Sequence, residues 1–279
     1  MEKSENLTST FTILCPYGIV LAADSIGTIR NPFSGEVEKI IPNIQKIYGF
    51  SKVGFGTSFW GLGFVGDKPI LDFLAEFEES SVEKTDTLDQ VAEKLRDHLS
   101  KVTPKISDRM GLHLAGYATI NGKPTPQLRH VFHEKWHIAG VFVAENCHIE
   151  SLGPVRKQFP AYRPYPPLFN GDNAIANCLV NFIPAMTNEQ QKIAPALLKL
   201  EECIDLAALV VGVSIQRLNY YVDPQYRKVP KTVDGTVFIA KITPDKGFEW
   251  VKKGIDWSSS NSSGGRRRSS NRISPSNCL

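Results

Sequence analysis

Two short apolar runs, Thr10–Cys15 and Ile19–Ala23, stand almost back to back near the start of the chain. The tetrapeptide Cys15-Pro16-Tyr17-Gly18 joins them, and proline second with glycine fourth suits a type I turn. The runs are rich in Phe, Thr, Ile, Leu and Val, which predicts a β-hairpin. The second run ends on Asp24, a carboxylate placed directly after apolar strand. Lys39 follows beyond a Pro/Ser/Gly loop. A hydroxyl near the chain start, a strand-end carboxylate and a lysine beyond the next loop are sufficient parts for an activated nucleophile. Taken singly, Asp24 also suits a turn cap and Lys39 a surface charge.

Further along, Ile44–Phe50 and Val53–Thr57 read as strands. Gly61-Leu-Gly63-Phe-Val-Gly66 is formally a GxGxxG. Its Asp86, about 20 residues on, falls in a helix cap rather than at a strand end, so a tight strand-to-helix connection is the better reading than a dinucleotide site. Ile70–Glu79 reads as a helix. A second starts at Thr87, where Thr87-x-x-Gln90 forms a capping box. Leu88, Val91, Leu95, Leu99 and Val102 then keep one face of it. Strands return at Leu112–Thr119, Gln127–Phe132 and Trp136–Val143. His130, His133 and His137 lie in this block, but strand alternation and a turn send them in different directions, which disfavours a metal site. Residues 151–168 form a proline-rich excursion. Asn173–Ile183 and about Asn188–Asn219 read as helices, the second apolar all round over Leu206–Val213 and so expected between layers. Thr236–Ile242 and Phe248–Val251 close the body. The order of strands, two helices, strands, two helices, strands makes an α+β domain.

The 279 residues suffice for one large domain, and 42% apolar with 22% charged side chains is ordinary globular composition. No apolar run approaches the ~18–20 residues of a membrane span. The polar start, Met1 to Leu7, lacks a signal-peptide core, so cytoplasm is the expected compartment. Five scattered cysteines with no CxxC suggest reduced, mostly buried thiols. The net charge of +3 resides in the last stretch: residues 258–279 hold four arginines and no acid. The rest carries 28 basic against 29 acidic side chains, so nucleic acid is not an expected partner of the body. Ser258–Leu279, rich in Ser, Asn and Arg, has too little apolar surface to repay ordering and reads as a disordered tail.

Gly18-Ile-Val-Leu-Ala-Ala-Asp24-Ser25, with Lys39-Ile40 after it, resembles the opening of proteasome β-subunits, which are N-terminal-nucleophile (Ntn) hydrolases. In that family a threonine becomes the first residue once a propeptide is removed, an aspartate follows sixteen positions later and a lysine sixteen beyond that. Sixteen back from Asp24 is Thr8, and fifteen forward is Lys39. Gly54-Phe-Gly56-Thr57 resembles the glycine turn that supplies an oxyanion-binding N–H. Val233-Asp-Gly235-Thr-Val-Phe-Ile-Ala and Ile242 to Trp250 resemble the closing strand pair.

The resemblance, covering roughly 8–251 in patches, implies a four-layer αββα sandwich over 8–257 with residues 1–7 as propeptide. It implies catalytic roles for Thr8, Asp24, Lys39 and the Gly56 N–H, with no metal or organic cofactor. A peptide or protein would be the substrate, and a homo-oligomeric ring the assembly. Two readings follow. Thr8, Asp24 and Lys39 favour a threonine-type hydrolase of peptide or other amide bonds. Leu7 before Thr8, Asn170 where the family has a serine, and the missing Asp-x-x-Ser before Gly235 favour a silent member acting in binding or assembly.

Overall fold

The computed structural model describes residues 9–30, 37–61, 63–65, 68–102, 110–133, 136–138, 141–143, 148–151, 168–171, 198–217, 235–251 and 255–256. In chain order the strands begin with β1 (Ser9–Cys15), β2 (Gly18–Ala23), β3 (Gly27–Arg30), β4 (Val37–Ile41), β5 (Ile47–Phe50) and β6 (Phe55–Gly61). Short β7 (Phe64–Val65) and β8 (Lys68–Pro69) lead into helices α1 (Ile70–Ser81) and α2 (Leu88–Val102). Then come β9 (Met110–Ile120), β10 (Lys123–His133), β11 (Trp136–Ile138), β12 (Val141–Val143), β13 (His148–Ser151) and β14 (Leu168–Gly171). Helix α3 (Leu200–Arg217) precedes β15 (Thr236–Thr243), β16 (Gly247–Trp250) and β17 (Ile255–Asp256).

Two antiparallel sheets form the body. One runs β14-β1-β2-β15-β16, with β17 also on β15; the other runs β13-β10-β9-β6-β5. The first hairpin is the predicted one: Cys15 pairs with Gly18 across Pro16-Tyr17, and the ladder runs back to Thr10 opposite Ala23. The β9–β10 hairpin turns on Asn121 and Gly122, at φ 52° and 73°. Both central residues at positive φ make this the mirror-image turn whose twist suits antiparallel strands.

Alternation along each strand separates three apolar clusters. Phe11, Ile13, Val20, Ala22 and Ile239 meet Cys203, Ala207, Val211 and Ile215 of α3. Leu14, Ile19, Leu21 and Ile242 of the first sheet meet Ile47, Ala115 and Leu128 of the second. Phe50, Phe59, Leu112 and Val131 pack with Leu74, Phe77, Val91 and Leu95 of α1 and α2.

The helix boundaries follow from local chemistry. At α2 the box forms as expected: Thr87 N–H donates to Gln90 Oε1 at 2.8 Å and Gln90 N–H to Thr87 Oγ1 at 3.3 Å. Helix α3 begins at Leu200; the expected Asn173–Ile183 helix and residues 188–197 of the expected longer one lie outside the described residues. Lys199 N–H donates to Glu202 Oε2 at 2.7 Å, and Cys203 N–H makes the first helical bond to Lys199 O. The side chain three residues inside thus reaches back to Lys199, which is where the helix is capped. Nor is α3 buried all round over Leu206–Val213: Leu209 is 44% exposed, and one side alone meets the sheet. No helix among the described residues is long and apolar enough to cross a membrane.

Candidate active site

Asp24 ends β2 and is fully buried. The hairpin ladder places it: Asp24 N–H donates to Ser9 O at 3.1 Å, one step beyond the Thr10–Ala23 pair. Its carboxylate therefore sits against the first described residue of β1. Ser9 N–H donates to Oδ1 at 2.9 Å, and Ile26 N–H to Oδ2 at 3.2 Å. The remaining donor is a lysine ammonium: Lys46 Nζ lies 2.8 Å from Oδ1, and its side chain is 5% exposed.

Both groups are tuned mainly by burial. It raises Asp24 above the usual carboxylate range and lowers Lys46 below the usual lysine range, and the contact between them offsets part of each. A buried carboxylate with three donors and a lysine made readier to lose its proton form a polar centre inside an apolar wall.

The surrounding backbone holds this centre still. Ser25 O accepts from Ile44 N–H at 2.8 Å, and Ser25 Oγ accepts from Thr236 N–H at 2.7 Å. Gly235 stands at φ +85°, and a Cβ there would lie 2.4 Å from Ser25 Oγ. Only glycine suits both the backbone angle and the space. Lys46 O accepts from Phe59 N–H at 3.1 Å, which fixes the lysine against β6.

Of the residues singled out from the sequence, Asp24 stands at this centre. Thr8 directly precedes Ser9 and lies outside the described residues. Lys39 does not reach Asp24. It is exposed on β4, opposite Ile29 of β3. The residues after Asp24 build the β3–β4 hairpin, and the chain turns back through Asn43 at φ 59° before Lys46 arrives. Counting an interval through that hairpin therefore does not reach the lysine that pairs with Asp24. The lysine that pairs with Asp24 stands in Lys46-Ile-Tyr-Gly-Phe50, immediately before an apolar strand and after a Pro42-Asn43 turn.

Gly56 stands on β6, away from the Asp24–Lys46 pair. It is an interior residue of β6, between Gly49 on β5 and Ala115 on β9, so its amide belongs to the sheet ladder. A Cβ there would meet Phe248 and Leu21, deep between the sheets. It stands three residues, about 10 Å, from Phe59, the residue bonded to Lys46. The strand end at the lysine is Phe59–Gly61, closing on Gly61 at φ +84°.

A polar seam missed by sequence reading lies between the sheets. Thr12 Oγ1 is 3.2 Å from His113 Nδ1, and Trp60 Nε1–H donates to His130 Nε2 at 3.2 Å. His130 stacks on Phe132 and meets His113 edge-on. Burial holds His130 at about 4, so it is neutral at ordinary pH and accepts from Trp60. The side chains of His133 and His137 lie outside the described residues.

No family model matches this chain, and no curated protein matches it. Among solved structures it is similar to the Anbu (Gly-1) mutant from Hyphomicrobium sp. strain MC1, at a TM-score of 0.55 and 12% identity, over 89% of this chain and 87% of that one. At that identity the likeness concerns the fold: an α+β protein of two antiparallel sheets and three described helices, similar to the proteasome-like fold of Anbu.

Proposed function

We propose that this chain is a proteasome-like Ntn hydrolase that cleaves peptide or other amide bonds with Thr8 as an N-terminal nucleophile. The observation that carries the reading is the buried Asp24–Lys46 pair beside Ser9, the first residue of β1. The three apolar clusters support a four-layer αββα arrangement around it.

Removal of residues 1–7 gives Thr8 a free α-amine, which titrates near ~8 and accepts the hydroxyl proton. Lys46 takes the role first assigned to Lys39: its ammonium lowers the cost of the alkoxide, and Asp24 holds it in place. The attacked carbonyl gains negative charge, and the Gly61 N–H at the end of β6 stabilises it, a contribution of up to ~3–4 kcal/mol.

The test begins with the mass of protein purified from its own cell, which should be smaller by the heptapeptide Met1–Leu7. Thr8→Ala should abolish both that cut and hydrolysis, while Thr8→Ser should retain the cut. Lys46→Ala should cost hydrolysis ~10²-fold or more, the scale of an activating group, with Lys39→Ala close to wild type. A chain starting at Met1 or Glu2 that no threonine-directed electrophile labels would instead be a silent member of the fold, serving in binding or assembly.

A further inference from the structure

The polar seam between the sheets joins the two strands that the chemistry needs. At one end is Thr12 of β1, the strand that begins one residue after Thr8. Its Oγ1 lies 3.2 Å from His113 Nδ1 on β9, and the His113 ring meets the His130 ring edge-on at 5.2 Å. At the other end is Trp60 of β6, whose Nε1–H donates to His130 Nε2 at 3.2 Å. Strand β9 lies between β6 and β10, so the indole crosses a whole strand to reach its acceptor. Trp60 pairs with Gly111 of β9, and glycine makes the crossing possible. A Cβ at Gly111 would lie 2.6 Å from Trp60 Cε2 and Nε1. His130 is 8% exposed, and its ring stacks on Phe132 with centroids 4.6 Å apart. The acceptor is held by packing as well as by the bond.

This bond lies one residue away from the oxyanion donor. The β5–β6 ladder stops at Ser58, so Phe59–Gly61 keep β9 as their strand neighbour. On the other edge, Phe59 N–H donates to Lys46 O. N–H groups two residues apart leave an extended strand on the same edge, so the Gly61 N–H leaves on the side of the lysine. That N–H lies in the peptide plane that begins at Trp60 Cα, because the peptide unit is planar. What fixes Trp60 therefore fixes the direction of the Gly61 N–H. We propose that Trp60 and His130 are positioning residues for the hydrolysis, their hydrogen bond across Gly111 aiming the Gly61 N–H at the oxygen of the attacked carbonyl. The role rests on the Thr8 chemistry proposed above. An oxyanion donor is effective when it is aimed before the charge develops, and a displacement of about 1 Å costs such a step up to about 10²-fold.

The test reads the cut that frees Thr8, since that step is intramolecular and needs no other substrate. Full-length chains are made by cell-free synthesis, and loss of Met1–Leu7 is followed in time by intact mass. Rates are compared per folded chain, with folding scored by resistance to trypsin. Trp60→Phe keeps a ring and removes the N–H, while His130→Leu removes the acceptor. Each should slow the cut about 10-fold or more. The double variant should be no slower than either single one, because all three lack the same bond. His130→Gln, whose amide oxygen stands near the Nε2 position, should recover most of the rate lost in His130→Leu. Cutting at the wild-type rate in Trp60→Phe or His130→Leu, or additive losses in the double variant, would overturn the positioning role and leave the Thr8 chemistry standing. A wild-type chain that keeps residues 1–7 would overturn the hydrolase reading and this role with it. Two single variants carry the test, so if one fails to fold the other decides.

Discussion

At the scale of single residues, the two lysines separate cleanly. Removing Lys46 leaves a fully buried carboxylate without its cation, and breaking a buried pair from one side costs about 3–5 kcal/mol. Lys39 is exposed, and its replacement by alanine should stay within about 0.5 kcal/mol. Urea denaturation of K46A and K39A measures the difference directly; equal midpoints would mean that Asp24 does not depend on Lys46. Gly235 offers a second residue-scale prediction. Gly235→Ala adds a Cβ 2.4 Å from Ser25 Oγ at φ +85°, so a loss of about 1–3 kcal/mol is expected in the same assay. The Ser25→Ala background should relieve the steric part of that loss. Asp24 was legible in the sequence because a carboxylate ending an apolar strand is a local signal. Lys46 was not, because its partner is 22 residues away and the intervening hairpin could be placed only in space.

At the scale of elements, the seam between the sheets makes stability depend on pH. The folded state holds His130 at about 4, against about 6.5 in an unfolded chain. The unfolded chain therefore binds a proton that the folded one refuses as pH falls below 6.5. Stability from this group is complete above that value, is lost progressively toward pH 4, and changes no further below it, by about 3 kcal/mol in all. Comparing wild type with His130→Gln across pH 7 to 4 isolates the contribution; an identical pH slope in both would refute it. The Thr87 cap was readable from sequence because its donors and acceptors lie within three residues of each other. Thr87→Ala should cost about 1 kcal/mol in thermal melts. The start of α3 at Leu200 is also a local effect, set by Glu202. Its exposed Leu209 shows the limit of hydrophobicity alone. The pattern says that a surface is apolar and is silent on whether it faces a sheet or solvent.

At the scale of the whole molecule, the alternation of strand and helix blocks already pointed to α+β, and the two antiparallel sheets bear that out. Which strands neighbour which was beyond reach: β15, near the end of the chain, pairs with β2, near its start. Assembly is a prediction at this scale. A ring-forming relative would give light scattering several times the 31.0 kDa chain mass, and a particle of one chain mass at micromolar concentration would count against it. A second prediction concerns the basic tail, residues 258–279, whose composition gives it little to bury. A chain ending at residue 257 should match the full-length melting free energy within about 0.5 kcal/mol.

The bond from Ile44 N–H to Ser25 O gives the β3–β4 excursion two anchored feet. Between them, β3 and β4 pair with one another from Gly27–Ile41 to Arg30–Val37, as a handle stands on a cup. Its length can change while its points of attachment stay put, and doubling a loop costs only about 0.6 kcal/mol in closure entropy. A short Gly-Ser insertion between Asn31 and Glu36 should therefore leave the carboxylate and its ammonium in register, and the protein should tolerate foreign sequence there. Variation in this family of shapes can be spent on the handle's reach and surface, with the chemistry below it insulated from the change.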